Sequence, residues 1–206
     1  MSAGHIGVDE SGKGDYFGPL VIAACYVGPE HLAELEGVKD SKKLTDLLAL
    51  RYSAVIMRTC PYAIVTVGPA KYNELYVKIP NLNKLLAWGH AKAIEEILTK
   101  VDADHVISDQ FANPIGLQNA LKSKGISIRL ESRVRAESDI AVAAASVLAR
   151  AEFLRRLKGL SEQWQLDLPK GAGSNVDQAA RHFIAVKGRE NLGSVAKLHF
   201  KTTQKL

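Results

Sequence analysis

Eight consecutive apolar residues, Leu20 to Val27, bounded by Gly18-Pro19 on one side and Gly28-Pro29 on the other, constrain this chain more than any other stretch. The run is short enough for a buried strand, and the Gly-Pro breaks set its ends. A shorter apolar run just ahead of it (Ile6, Val8) predicts a second strand, paired with the first through the intervening loop. That loop lies within Gly7-Val-Asp-Glu-Ser-Gly-Lys-Gly-Asp-Tyr-Phe-Gly-Pro19, so the pairing delivers two adjacent carboxylates, Asp9 and Glu10, to a strand end. Neighbouring strand residues point to opposite faces, and both carboxylates reach one centre only if the strand ends or bends there. Gly12 and Gly14 supply that freedom, and Lys13 puts a positive charge beside amides able to hold an anion. Taken alone, the stretch reads first as a charged strand end followed by a surface turn, and it is the rest of the chain that favours a site.

Downstream, Thr45 and Asp46 open a helix running to about Arg58, and Lys42 and Lys43 stand just ahead of it, as a solvated turn or as phosphate contacts. Tyr62 to Val67 alternates as a third strand. Asn83 to Lys100 predicts a helix with an apolar stripe of Leu85, Leu86, Ala93, Ile94, Ile97 and Leu98, in which Trp88 packs and His90 is a satisfied or surface histidine. Val106 to Asp109 repeats the opening pattern, a β-branched run ending in a carboxylate. Ile115 to Lys124 reads as a short helix closed by Gly125, and Ile126 to Leu130 as a further strand. Then comes an Ala-rich helix from about Asp139 to Lys158, capped by Ser138 or Asp139, with Glu137 at its start as a dipole-favoured residue or a fourth metal ligand. Its later half carries Arg150, Arg155, Arg156 and Lys158, which suit the helix dipole. Leu168 to Gly173 reads as a loop, Asp177 to Val186 as an amphipathic helix, and the tail from Ser194 as mixed. The expected fold is α/β: one domain over residues 1–206 with a central mixed sheet flanked by helices, the late helices on one side.

At 206 residues the chain suits one sizeable core. A formal net charge of +5 is compatible with a polyanionic partner. Cys25 and Cys60 lie in apolar stretches and read as buried free thiols, too few for a disulfide scaffold or a zinc site. No run reaches membrane-spanning length and no leader pattern opens the chain, so a soluble cytoplasmic protein without a membrane partner is expected.

Carboxylates at two strand ends and one helix start, with no Cys or His at zinc spacing, point to hard cations such as Mg²⁺ or Mn²⁺. Such a cluster in a basic chain suits phosphodiester hydrolysis. No Ser-His-Asp elbow or dinucleotide fingerprint competes, and Gly12-Lys13-Gly14 lacks the spacing of a phosphate-binding P-loop.

The motifs Asp9-Glu-Ser-Gly-Lys-Gly-Asp-Tyr-Phe-Gly-Pro19, Asp40-Ser-Lys-Lys-Leu44, Asp109-Gln-Phe-Ala112, Ala136-Glu-Ser138 with Ala143-Ala-Ala-Ser146, Leu168-Pro-Lys-Gly-Ala172 and Val195-Ala-Lys-Leu-His-Phe200 run in order along the chain. In them the chain resembles the type 2/type 3 ribonucleases H, and within these it looks most like bacterial ribonuclease HIII. The resemblance implies an endonuclease that cuts the RNA strand of RNA/DNA hybrids to 3′-hydroxyl and 5′-phosphate ends. It implies Asp9, Glu10, Asp109 and Glu137 as metal ligands for two Mg²⁺ or Mn²⁺ ions, with Asp9 shared. It also implies Gly12-Lys13-Gly14 at the ribose 2′-hydroxyls, with Ser11 among the substrate-binding residues, and Lys42 and Lys43 at phosphates; a monomer is expected. Lys13 and Glu137 look type 3, where type 2 usually has Arg and Asp. Type 2 enzymes use a tyrosine downstream of the fourth carboxylate, and here none follows Tyr76, so runs of ribonucleotides are the expected substrate. The alternatives are a type 2-like enzyme that incises at single ribonucleotides and a hybrid-binding module that does not cut. Type 3 members usually carry an N-terminal substrate-binding domain resembling the TATA-binding protein. Here the catalytic motif starts within the first ten residues, as in a naturally short member or an excised catalytic domain.

Overall fold

The computed structural model describes residues 4–38, 44–109, 114–134 and 136–206, with Glu137 in its backbone alone. β1 (His5–Ser11) and β2 (Leu20–Val27) form the antiparallel pair that the two apolar runs predict, in unbroken register from His5 opposite Val27 to Ser11 opposite Val21. β3 (Tyr62–Val67) extends β2 antiparallel. On the other side of β1, β4 (His105–Asp109) and then β5 (Arg129–Arg133) add in parallel, giving the order β3-β2-β1-β4-β5. Because β1 and β4 run parallel, their C-terminal ends lie side by side at one edge of the sheet, where sites collect in α/β folds.

A strand apolar on both faces has to be covered on both, and two helical layers do this for β2. On one face Val21, Ala23 and Cys25 pack against α1 (Asp46–Thr59), α5 (Ile140–Trp164) and α6 (Ser174–Lys187). On the other, Leu20, Ile22 and Ala24 pack against α2 (Pro69–Lys78), α3 (Leu82–Leu98) and α4 (Ile115–Ser123). The late helix α6 lies on the α5 side, as expected, and a short α7 (Lys201–Gln204) follows it. The small residues Ala141 and Ala143 to Ala145 let α5 press directly on the central strand. A Cβ on Gly7 would stand 2.1 Å from the backbone of Ala141 and Val142, so strand and helix meet there main chain to main chain. Asp139 is the cap that starts α5, accepting from Ala141 N and Val142 N at 3.0 and 3.1 Å. It also accepts from His5 Nε2 at 2.8 Å, tying the first residue of β1 to the first turn of α5.

α6 starts at Ser174, three residues ahead of the expected Asp177, and three further departures from the sequence reading bear on the sheet and its cover. The fifth strand is Arg129–Arg133 rather than Ile126–Leu130, because its register is set by pairing with β4 from His105 opposite Arg129 onward. Ile126 and Ile128 instead pack half-buried against the α3 side of the core before the strand begins. α5 runs past Lys158 to Trp164, since Leu160 and Trp164 still find the core and nothing crowds Gly159. α2, opened by Pro69 at a position that needs no N–H, replaces a stretch to which no element was assigned. Cys25 and Cys60 are buried free thiols, and no helix among the described residues is long and apolar enough to cross a membrane.

Candidate active site

β1 carries Asp9 and Glu10 without leaving the ladder, Asp9 opposite Ala23 and Glu10 opposite Ile22. The expected bend is absent, and strand alternation sends the two carboxylates to opposite faces. Asp9 turns toward α5, where it is hydrogen-bonded to Ser146, and its Oδ1 accepts from Glu10 N at 2.8 Å. Glu10 turns toward α3. Its Oε2 takes a hydrogen bond from Nε2 of the fully buried His90 at 3.0 Å, and its Oε1 one from Lys13 Nζ at 2.5 Å. His90 Nδ1 lies 3.3 Å from the hydroxyl of Ser108 on β4. Asp109 ends that strand, and its Oδ1 accepts from Ala136 N at 3.1 Å. Ala136 begins the short 3₁₀ turn Ala136–Ser138, so the backbone of Glu137 is tied to Asp109 one residue away.

Asp9, Glu10 and Asp109 line one cleft of about 410 Å³, together with Ser11 to Asp15, Ser146, Arg150 and Lys170. The side chain of Glu137, and Lys42 and Lys43 entirely, lie outside the described residues. Among the described residues, no three acidic, histidine or cysteine side chains stand close enough to ligate one ion. The division of Asp9 and Glu10 between the two faces is consistent with that.

The electrostatics separate the two acids. Burial, then the charge of Glu10, pushes the Asp9 carboxyl up to about 7 despite its hydrogen bonds, with Asp109 adding to the effect. Burial works the same way on Glu10, but the hydrogen bond and charge of His90, with those of Lys13, outweigh it and hold the carboxyl at about 2. A buried carboxyl crowded by two others is relieved by a cation, and a donor set made only of carboxylate oxygens fits a hard divalent one. The chemistry of these donors therefore suits a hard divalent cation, although among the described residues no three of them converge on one point.

The glycine turn differs between its two glycines. Gly12 has φ +85°, and a Cβ there would lie 2.1 Å from the Pro19 carbonyl and 2.9 Å from the Phe153 ring. Gly14 has no such φ, and a Cβ there would meet nothing within 4 Å. Only Gly12 is needed for the chain's own conformation, while Gly14 leaves open space on the cleft.

Sequence reasoning missed two features of the site. His90 is the satisfied histidine of the two that the sequence allows, buried and partnered on both ring nitrogens, but the sequence does not show that one of its partners is a candidate ligand. The signal was its place four residues after Leu86 and four before Ile94, inside the apolar stripe of α3. The second feature is a pair of cations on the cleft wall. Arg150 Nη2 donates to Asp46 Oδ1 at 2.6 Å and Lys170 Nζ donates to Asp46 Oδ2, so one carboxylate at the start of α1 aims both.

Residues 6–203 match the family model of Ribonuclease HII. The chain is 48% identical over 200 residues to Ribonuclease HIII of Protochlamydia amoebophila (strain UWE25), covering 96% of this chain and 66% of that protein. It is 47% identical over 203 residues to Ribonuclease HIII of Chlamydia pneumoniae, covering 96% and 68%. The crystal structure of Bst-RNase HIII in complex with Mn²⁺ superposes with a TM-score of 0.93 at 38% identity, over 99% of this chain and 69% of that one. The chain thus spans about two thirds of the length of these relatives. The family match runs from β1 into α7 and takes in both strand-end carboxylate positions: the chain belongs to the ribonuclease HII family of ribonuclease H enzymes.

Proposed function

We propose that this chain is the catalytic domain of an endonuclease that hydrolyses the RNA strand of RNA/DNA hybrids to 3′-hydroxyl and 5′-phosphate ends, with a preference for runs of ribonucleotides. The observation that carries the reading is the meeting of Asp9, Glu10 and Asp109 on one cleft that also holds the Gly12-Lys13-Gly14 turn and two aimed cations. Asp9, Glu10, Asp109 and Glu137 would hold Mg²⁺ or Mn²⁺, two ions in the substrate complex. Ions bound there would supply the activation of water and the charge stabilisation of the leaving oxygen that an in-line displacement needs.

The chain's own residues do the rest. His90 keeps Glu10 ionised and aimed from the far side of the sheet. Gly14, with open space where a side chain would be, lets main chain approach the ribose 2′-hydroxyl, the group that separates RNA from DNA. Ser11, Gly12 and Lys13 belong to the same contact, and Lys42 and Lys43 hold phosphates. The absence of any tyrosine after Tyr76 supports the preference for ribonucleotide runs. The protein acts as a monomer in the cytoplasm, where Cys25 and Cys60 stay reduced.

Wild type and Asp109→Asn, assayed on an RNA/DNA hybrid, a DNA duplex with a run of ribonucleotides and one with a single ribonucleotide, test the reading. Each is run with Mg²⁺, with Mn²⁺ and with chelator. Metal-dependent cutting of the first two that is lost in the variant is the expected result. Efficient cutting at the single ribonucleotide overturns the stated preference, and binding without cutting overturns the nuclease.

A further inference from the structure

Lys197 is fully buried, and among the described residues no carboxylate stands within ion-pair distance of it. Its Nζ donates instead to two main-chain carbonyls, Asp15 O at 2.8 Å and Gly18 O at 2.7 Å, with the Tyr72 ring centred 5.7 Å away. Both carbonyls belong to the segment that leaves the glycine turn, and Asp15 N closes back on Gly12 O at 3.4 Å. The main chain around Lys197 holds the same segment. Lys197 N donates to Tyr16 O and Gly18 N to Val195 O, each at 2.9 Å, and Phe17 bridges to Ala196. From the other side, Tyr16 N donates to Gly171 O at 2.9 Å and Gly171 N to Asp15 Oδ1 at 2.6 Å. The tail is itself anchored: Asn73 Nδ2 donates to Gly193 O and Ala196 O, and Leu198 N donates to Asn73 Oδ1.

A lysine taken out of water is costly, and burial pushes this amine down to about 7. Methionine or leucine could fill the same space without that cost. What neither can do is join two carbonyls, three residues apart, at one point. A terminal amine on an unbranched stem reaches both and donates to each.

We propose that Lys197 is a positioning residue for the glycine turn: by bridging the carbonyls of Asp15 and Gly18, it fixes the segment from which Gly12 to Gly14 is hung, and with it the placement of the ribose-reading main chain beside Asp9 and Glu10. This rests on reading the turn as the ribose contact. The C-terminal segment, far from the carboxylates in sequence, thereby becomes part of the substrate-reading apparatus without touching substrate.

The test compares wild type with Lys197→Met in three measurements, each per folded molecule. These are amide hydrogen exchange of the Ser11 to Gly18 segment, Mn²⁺ binding to the free protein, and kcat/KM on an RNA/DNA hybrid. The expected result is faster exchange confined to that segment, unchanged Mn²⁺ binding, and a fall in kcat/KM on the order of tenfold to a hundredfold, the scale of an ångström-sized misplacement. Unchanged kcat/KM overturns the proposal, as does exchange that rises equally across β1 to β3 or a matching loss of Mn²⁺ affinity, since either marks a general loosening. If Lys197→Met does not fold, Lys197→Gln, which keeps N–H donors at shorter reach, is put through the same measurements with the same outcomes. A wild type that cuts no hybrid refutes the proposed function. The exchange of the turn then decides by itself whether Lys197 holds it.

Discussion

Asp9→Asn should make the protein more stable near neutral pH while abolishing its cleavage activity. Asp9 is only 8% exposed, and its carboxyl is lifted from an ordinary value of 3.8 to about 7, by burial first and then by the charge of Glu10. A lift of about 3 pH units at 1.36 kcal/mol each sets a ceiling of about 4 kcal/mol on the penalty of ionising Asp9 in the folded state. Asparagine keeps the Oδ1 that accepts from Glu10 N, and its amide faces the Ser146 hydroxyl. The amide must still be desolvated, so we expect a net gain of about 2 kcal/mol, or about 4–8 °C in melting temperature for a chain of this size. The sign follows from proton binding. Between pH 3.8 and about 7 the native state holds a proton that the unfolded chain has released, so wild-type stability from this group falls as pH rises through that window. The advantage of Asp9→Asn is therefore full at about pH 8, shrinks on acidification and vanishes below about pH 4. Thermal unfolding followed by circular dichroism in chelator, from pH 8 down to pH 4, reads it directly. A variant no more stable than wild type at pH 8, or an advantage independent of pH, would refute the electrostatic argument. Adding Mn²⁺ should reverse the ranking, because an ion at 100 times its Kd stabilises the wild type by about 2.7 kcal/mol and the variant by less.

The two glycines of the turn should part company. Gly12→Ala places a Cβ 2.1 Å from the Pro19 carbonyl at φ +85° and should cost at least about 2 kcal/mol in urea unfolding, whereas an unchanged midpoint would show that the turn relaxes freely. Gly14→Ala meets open space and should leave stability within about 0.5 kcal/mol while lowering hybrid cleavage; unchanged cleavage would remove Gly14 from the ribose contact. His90→Leu strands the buried Oε2 of Glu10 and should cost about 3 kcal/mol at neutral pH. Because the Glu10 carboxyl is held at about 2, its stabilisation is present above about pH 4.5 and is lost as pH falls toward 2. The gap between wild type and His90→Leu should therefore close on acidification, and a gap that stays constant would mean that His90 only fills space.

The elements legible in the sequence are those whose signal is local. Leu20 to Val27 between its Gly-Pro breaks, the β-branched run ending in Asp109, and the apolar stripe of α3 each carry their period within a few residues. The Asp9-Glu10 pair and the small residues of α5 are local in the same sense. Whatever depends on a partner distant along the chain was not legible. Composition places β5 at Ile126 to Leu130, the better strand former, while the actual strand is chosen by its ladder to β4. The opposite facing of Asp9 and Glu10 follows from the unbroken pairing of β1 with β2, which Gly12 and Gly14 had suggested would break. His90 meets Glu10 across 80 residues of sequence, Arg150 meets Asp46 across 104, and Lys197 meets Asp15 across 182. By itself, the sequence determined the first four strands, most of the long helices and the residue types gathered at the strand ends, because periodicity and residue type reside in short segments. Only the tertiary structure decided which side chains hold the carboxylates and the glycine turn in place, because a buried polar group takes whichever partner packing brings to it, however distant along the chain.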